Sequence, residues 1–237
     1  MVLAGAVGWV LSNAFSTTPT SSAAVRSSSS PVSRQRGWDG WSDVAVARYG
    51  ELMVYRGPRA QRPRLVLPNP TSASTPLTLL VKQQQGNWIE TYLPTRPNEA
   101  VGWVHRSAIR LLKDPWAVVV QLKSHRLVVW RAGRLIRRFP VAVGKPSTPT
   151  PAGNFFINEL LKQPDPAGGY GPYAFGTSDF SNVLLHFNGG NGQIGIHGTD
   201  QPWVIGTSAT HGCIRLYNQD IVWLSQRLPL GTPVRIS

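Results

Sequence analysis

The segment from Ile194 to Leu216, IGIHGTDQPWVIGTSATHGCIRL, constrains this chain more than any other stretch. It holds the single cysteine, Cys213, and two of the five histidines, His197 and His211. Glycines at 195, 198, 206 and 212 let the backbone turn tightly and adopt positive φ around those polar groups. One cysteine cannot form an internal disulfide, and a buried cysteine is most often a small apolar core residue. This one follows His-Gly and precedes Ile-Arg-Leu, an unusual setting for an inert thiol. The pattern suits nucleophilic chemistry at a carbonyl. An imidazole takes the thiol proton and holds the thiolate as an ion pair, which would bring the thiol below its free value of about 8.5. Both His197 and His211 are near enough in sequence to be that base. The backbone N–H groups of Gly212 and Cys213 are the expected oxyanion donors. Arg215 offers a planar fork for a carboxylate.

His-Gly-Thr at 197–199, then Thr-His-Gly-Cys-Ile-Arg-Leu at 210–216 with the cysteine sixteen positions after the first histidine, resembles the L,D-transpeptidase catalytic domain of the YkuD type. The segment Gly144–Phe156, GKPSTPTPAGNFF, is similar to that family's Gly…Thr-Pro-x-Pro-x-Gly-x-Phe run. The resemblance covers roughly residue 116 to the end. It implies that Cys213 is the nucleophile, His197 its base, and His211, Gly212 and Gly198 the groups that shape the site. Some members carry serine after the first histidine. Gly198 stands there in this chain, so a backbone carbonyl is expected to orient the imidazole. Arg215, Tyr173 and Thr199 are expected to contact substrate, with Tyr170 and Phe175 as further aromatic candidates.

Twenty-three glycines and twenty prolines point to a turn-rich, mainly β protein. Val2–Leu11 is an apolar run followed by Ser12-Asn13-Ala14, so residues 1–15 read as a secretory signal or anchor. Residues 16–42 are rich in Ser, Pro and Arg and read as a linker. Short strands separated by turn residues fill 43–112 and end in Gly102-Trp103-Val104, similar to a bacterial SH3-like barrel. Trp88 and Trp103 are expected there as packing aromatics. The catalytic domain follows over 116–237. It is expected to be β-rich with one or two short helices, to open on Trp116–Leu122, and to turn a hairpin at Ala132-Gly133. Gln163–Ser181 reads as a long aromatic and glycine-rich cleft loop leading into the apolar run Asn182–Phe187. Asn218–Leu228 has helical spacing, with Ile221, Leu224 and Leu228 on one face. The chemistry lies wholly beyond Pro115, so the second domain is expected to fold and act alone.

The net charge of +13 is spread along the chain: thirteen Lys/Arg against six Asp/Glu up to Pro115, and eleven against five beyond it. That favours an anionic cell-wall polymer or membrane surface as partner, and no nucleic-acid motif accompanies it. The resemblance implies peptidoglycan stem peptides as substrate, no cofactor, and an exported protein at the outer face of the cytoplasmic membrane or in the wall. Cys213 would form a thioester that an amine resolves as a cross-link, or water as an L,D-carboxypeptidase. Two other readings stand beside it. His186, His197, His211 and Cys213 together offer three nitrogens and a sulfur to zinc, with Asp200 the nearby carboxylate. A non-enzymatic wall-binding protein would use only the basic surface and the SH3-like module.

Overall fold

Short apolar runs with alternating burial build the first half. The computed structural model describes residues 40–187 and 189–237; the apolar N-terminus and all but the end of the linker lie outside the described residues. Strands β1 (Ser42–Ala47), β4 (Thr78–Gln85), β5 (Trp88–Tyr92), β6 (Val101–His105) and β7 (Ile109–Asp114) form an antiparallel sheet in the order β6-β5-β4-β1-β7. Between the first two of these, β2 (Glu51–Val54) and β3 (Leu65–Pro68) make a hairpin. Leu52 and Val54 point into the core while Glu51 and Met53 face solvent, as a period of two requires. The hairpin closes on β6 because Gly102 has no side chain; a β-carbon there would lie 2.3 Å from Val54 Cγ1. Trp103 is buried, and Trp88 packs edge-on against Tyr55 and His105.

The second half is an eight-stranded mixed sheet in the order β10-β9-β8-β17-β12-β13-β14-β16. Its strands are β8 (Trp116–Gln121), β9 (Arg126–Arg131), β10 (Arg134–Pro140), β12 (Gly153–Lys162), β13 (Tyr173–Phe180), β14 (Gln193–His197), β16 (Ile214–Arg215) and β17 (Pro233–Ile236). A separate parallel pair joins β11 (Val143–Gly144) to β15 (Ser208–Thr210). Ala132 and Gly133 both take positive φ, +47° and +74°, the geometry of a two-residue hairpin turn. The one α-helix among the described residues, α1 (Asn218–Ser225), has Asp220 in its first turn and buries Ile221 and Leu224. Leu228 is buried just past its end. No helix of the described residues is long and apolar enough to cross a membrane.

One region departs from the sequence reading. Tyr173–Phe180 is an eight-residue strand, and the loop before it is only 163–172. Residues 181–187 and 189–192 are loop, apart from an isolated Phe187–Gly190 bridge. The apolar run there finds no core: Val183 and Leu185 are exposed. Chain-local hydrophobicity favours a strand, but a strand also needs a face to bury.

Packing also crosses the expected boundary at Pro115. On β12, Phe155 and Ile157 enter the core of the eight-stranded sheet. Phe156, between them, points the other way and joins the core of the first sheet, with Ala45, Leu79, Ile89 and Val104. Thr232 Oγ1 donates to Asp114 Oδ2 at 2.6 Å, and Gly231 lies so close that a β-carbon would meet Val44 Cγ1 at 2.3 Å. The two halves therefore bury one another's apolar surface, and residues 116–237 do not stand free of the first sheet. Phe156→Ala is expected to cost about 3–5 kcal/mol, with both sheets lost in one denaturant transition followed by tryptophan fluorescence. A fragment starting at Trp116 should be poorly folded; a soluble, cooperatively folding fragment would contradict the shared core.

Candidate active site

Sheet pleating sets the site. Along β14, Ile194 and Ile196 face the core, so Gly195 and His197 face the opposite side. β16 runs parallel to β14, with Ile214 beside Ile196 and Arg215 beside His197. One residue earlier in that register, Cys213 falls beside Gly195. The Gly195 N–H donates to Cys213 Sγ at 3.4 Å. A β-carbon on Gly195 would lie 3.9 Å from Sγ and 3.7 Å from His197 Cδ2, so thiol and imidazole share the space above this glycine.

The turn carrying the thiol is clamped by threonines of the proline-rich segment. Thr150 Oγ1 donates to the Gly212 carbonyl at 2.7 Å, and Thr148 Oγ1 donates to the Thr210 carbonyl at 3.1 Å. Thr210 Oγ1 donates to the Cys213 carbonyl at 2.6 Å and accepts the Gly212 N–H at 3.1 Å. Gly212 sits at φ +122°, a conformation that glycine allows. Its N–H is therefore engaged and does not serve as an oxyanion donor. The Cys213 N–H has no partner among the described residues.

The imidazole is oriented by the next residue's carbonyl: His197 Nδ1 donates to Gly198 O at 2.6 Å. In the neutral ring this leaves Nε2 as the acceptor. Gly198 has no room for a side chain, since a β-carbon would meet Asn218 Oδ1 at 2.3 Å. Asn218 Oδ1 instead accepts the Thr199 N–H at 2.7 Å. Tyr170 lies across His197, ring centroids 4.7 Å apart. Burial pulls the His197 pKa down to about 4, opposed by the Gly198 hydrogen bond. Burial likewise pushes the Cys213 thiol up, opposed by the Gly195 N–H, while Asp179 adds to the rise. In the resting site burial therefore works against charge on both the thiol and the imidazole. Desolvation disfavours both charges, and no fixed countercharge is close enough to reverse it.

Two cavities meet at Cys213. One, of about 130 Å³, is also lined by His197, His211, Arg215 and Tyr170. The other, of about 330 Å³, lies on the Phe175 and Gly195 side. His211 is exposed and stacks on Phe187 at 5.1 Å, forming part of the cleft wall. Arg215 Nη1 donates to Gln201 Oε1 at 3.2 Å, and its Nε is buried without a partner among the described residues. Two of the expected substrate contacts lie elsewhere. Thr199 is buried and its hydroxyl accepts the Gln201 N–H at 3.0 Å. Tyr173 packs against the sheet core and lines neither cavity, because the strand alternation turns it away. Tyr170, three residues earlier in the loop, takes that place. Among the described residues no three His, Cys, Asp or Glu side chains converge as a metal site, so the four proposed zinc ligands do not come together.

Sequence reasoning missed Asp179. It is fully buried on β13; Thr177 Oγ1 bonds its Oδ1, and its Oδ2 has no partner among the described residues. The Thr177 hydroxyl also bonds the Ile194 carbonyl, at 2.7 Å. A hydroxyl has one proton and cannot satisfy two acceptors. A protonated Asp179 resolves the conflict by donating to Thr177. Burial raises the Asp179 pKa to about 7, against the Thr177 bond.

The model of the YkuD family, the L,D-transpeptidase catalytic domain, matches residues 115–236. The YkuD protein of Bacillus licheniformis is 37% identical over 123 residues, which make up 52% of this chain and 66% of that protein. The YqjB protein of Bacillus subtilis is 31% identical over 130 residues, 52% of this chain and 72% of its own length. The chain thus spans just under two thirds of the first of these relatives. Among solved structures, an L,D-transpeptidase from Mycobacterium smegmatis covers 66% of this chain and 80% of its own, at 16% identity and a TM-score of 0.44.

Two measurements check the electrostatics. Alkylation of Cys213 by iodoacetamide is expected to keep accelerating past about pH 8.5, the free-thiol value. A plateau beginning below neutrality would restore the ion pair. For stability the two buried groups act in opposite senses. Asp179 titrates at about 7 folded against 3.8 as a free group, so the unfolded state binds fewer protons in between and stability falls as pH rises. His197 titrates at about 4 folded against 6.5 free, so the unfolded state binds more and stability rises over that window. Asp179→Asn removes the falling contribution. Its stability relative to wild type, from urea titrations, should rise between pH 4 and 7; parallel pH profiles would mean that Asp179 is ionised throughout.

Proposed function

The chain belongs to the YkuD family of L,D-transpeptidase catalytic domains, and on that premise we propose that it is a peptidoglycan L,D-transpeptidase acting through a cysteine thioester. The observation that carries the mechanism is the sharing of one glycine-floored space by Cys213 Sγ and the imidazole of His197. As Sγ attacks a stem-peptide carbonyl, Nε2 of His197 takes the thiol proton. The oxyanion forms beside the Cys213 N–H. His197 then gives its proton to the departing amine, leaving the acyl group on sulfur. A second amine attacks the thioester, loses a proton to His197, and the thiol is regenerated. Because burial works against charge on both resting groups, proton transfer in this proposal accompanies attack. The two cavities meeting at Cys213 give separate approaches to donor and acceptor, which favours transfer to an amine over hydrolysis.

Arg215 supports the same reading: it lines the smaller cavity, where a terminal carboxylate of the donor would meet its guanidinium. Residues 43–112, read as an SH3-like module, serve in this proposal as a buttress to the cleft. Arg96 Nη1 donates to Ser181 O at 2.8 Å, and Asn98 exchanges hydrogen bonds with the Phe180 backbone. Together they hold the end of β13 and the start of the loop that walls the cleft. The substrate places the protein outside the cytoplasmic membrane, and a net charge of +13 suits attraction to anionic wall polymers there.

Purified protein incubated with a disaccharide tetrapeptide should release the terminal residue and yield a cross-linked dimer, identified by mass. Cys213→Ser should reduce both products to background, because a hydroxyl is far harder to ionise beside one imidazole. A tripeptide product without dimer would make the enzyme a carboxypeptidase. Activity lost to a chelator and restored by zinc would point to a metallopeptidase.

A further inference from the structure

The face of the sheet that carries Cys213 continues away from the thiol as a bare strip. Glu159 on β12 stands opposite Gly176 on β13, and Gly176 stands opposite Gly195 on β14. Directly opposed residues of antiparallel strands project to the same face. A β-carbon on Gly195 would lie 3.9 Å from Cys213 Sγ, and one on Gly176 would lie 3.0 Å from Glu159 Oε2. The two glycines therefore floor a trough with the thiol above one and a carboxylate above the other. Both Cys213 and Glu159 line the same cavity of about 330 Å³.

Glu159 differs from the other buried or half-buried carboxylates. Glu90 has Lys82 at 3.4 Å, Asp43 has Lys113 at 2.8 Å, Asp220 has Arg137 at 3.8 Å, Asp114 accepts from Thr232 and the Trp116 N–H, and Asp179 shares a hydrogen bond with Thr177. Glu159 is half-buried and has neither a hydrogen bond nor an ion pair among the described residues. Burial raises its pKa, with no opposing charge. Its polar neighbour Gln193 is already engaged, donating to Asn158 Oδ1 at 3.1 Å and to the Thr177 carbonyl at 2.9 Å. Among the described carboxylates that are at least half-buried, Glu159 alone has neither a hydrogen bond nor an ion pair, and it stands at the end of a trough from Cys213.

We propose that Glu159 is a cation subsite of the donor cleft, holding the side-chain ammonium of the residue whose carbonyl Cys213 attacks. Adjacent strands lie about 5 Å apart, so the gap between thiol and carboxylate suits an unbranched side chain ending in a primary amine. A main-chain α-amine next to the reacting carbonyl would fall short. Arg215, lining the other cavity at Cys213, would take the donor's carboxylate, so the two charges fix the direction in which the peptide lies.

This subsite rests on the acyl-transfer reading, and the test separates the two. Two donor peptides are compared, identical except that the lysine-type amine at the attacked residue is free in one and acetylated in the other. Cys213 acylation in the full chain is followed by intact mass. The wild type should prefer the free amine by about tenfold in kcat/KM, the size of one charge-assisted hydrogen bond. The preference ratio should fall to near unity in Glu159→Gln and invert in Glu159→Lys. Because it is a ratio within each protein, a change in the folded fraction cancels. A wild type without preference, or a Glu159→Gln variant that keeps it, overturns the proposal. So does a preference seen only in the amine that consumes the thioester, which would assign Glu159 to the acceptor. If neither peptide acylates Cys213 while iodoacetamide still labels it, the acyl-transfer reading fails and the subsite with it.

Discussion

Two parallel residue pairs, Ile196 with Ile214 and His197 with Arg215, fix everything the site does. They bring together strands that are separated in sequence by a long turn, and they set which residues share a face. With that register Cys213 falls beside Gly195, and thiol and imidazole meet over a residue that has no side chain to part them. A shift of one residue would send Cys213 to the core face and Ile214 into the cleft. The threonines at 148, 150 and 210 hold the register by fixing the turn's carbonyls. This gives the proline-rich segment, distant in sequence, a direct mechanical part in the site.

Burial then decides the electrostatics. The same packing that positions Cys213 and His197 withholds the water that would stabilise their charges, so the thiol moves up and the imidazole down. The Gly198 carbonyl orients the ring without adding a full negative charge, unlike a carboxylate partner. Asp179, buried behind the cleft and able to keep a proton, avoids adding a further negative charge near the thiol while it remains neutral.

The first sheet is packed into the same structure. Phe156 ties it to the eight-stranded sheet through the far face of β12, and Arg96 and Asn98 secure the end of β13 and the loop that follows. Glu99 Oε1 accepts both the Asn154 N–H and Asn154 Nδ2, each at 3.0 Å, at the start of β12. The hydrophobic pattern marks these segments as strands, but a side chain pointing away from one core gives no sign of which other core receives it.

What the sequence determined by itself was local. Alternating apolar runs between glycines and prolines defined most strands, the Ala132-Gly133 hairpin and the apolar face of α1. The spacing of His197, His211, Gly212 and Cys213 was enough to pick out the candidate site and the family. Tertiary structure decided whatever depends on partners far along the chain. It engaged the Gly212 N–H with Thr210, turned Tyr173 and Thr199 away from the cleft while bringing Tyr170 in, and made 173–180 the strand and 181–187 the loop. It also aligned Glu159, Gly176, Gly195 and Cys213 in one row across four strands. The physical reason is that side-chain direction and desolvation are properties of strand register and of what packs on each face. Both are set by pairings between segments whose sequences carry no record of one another.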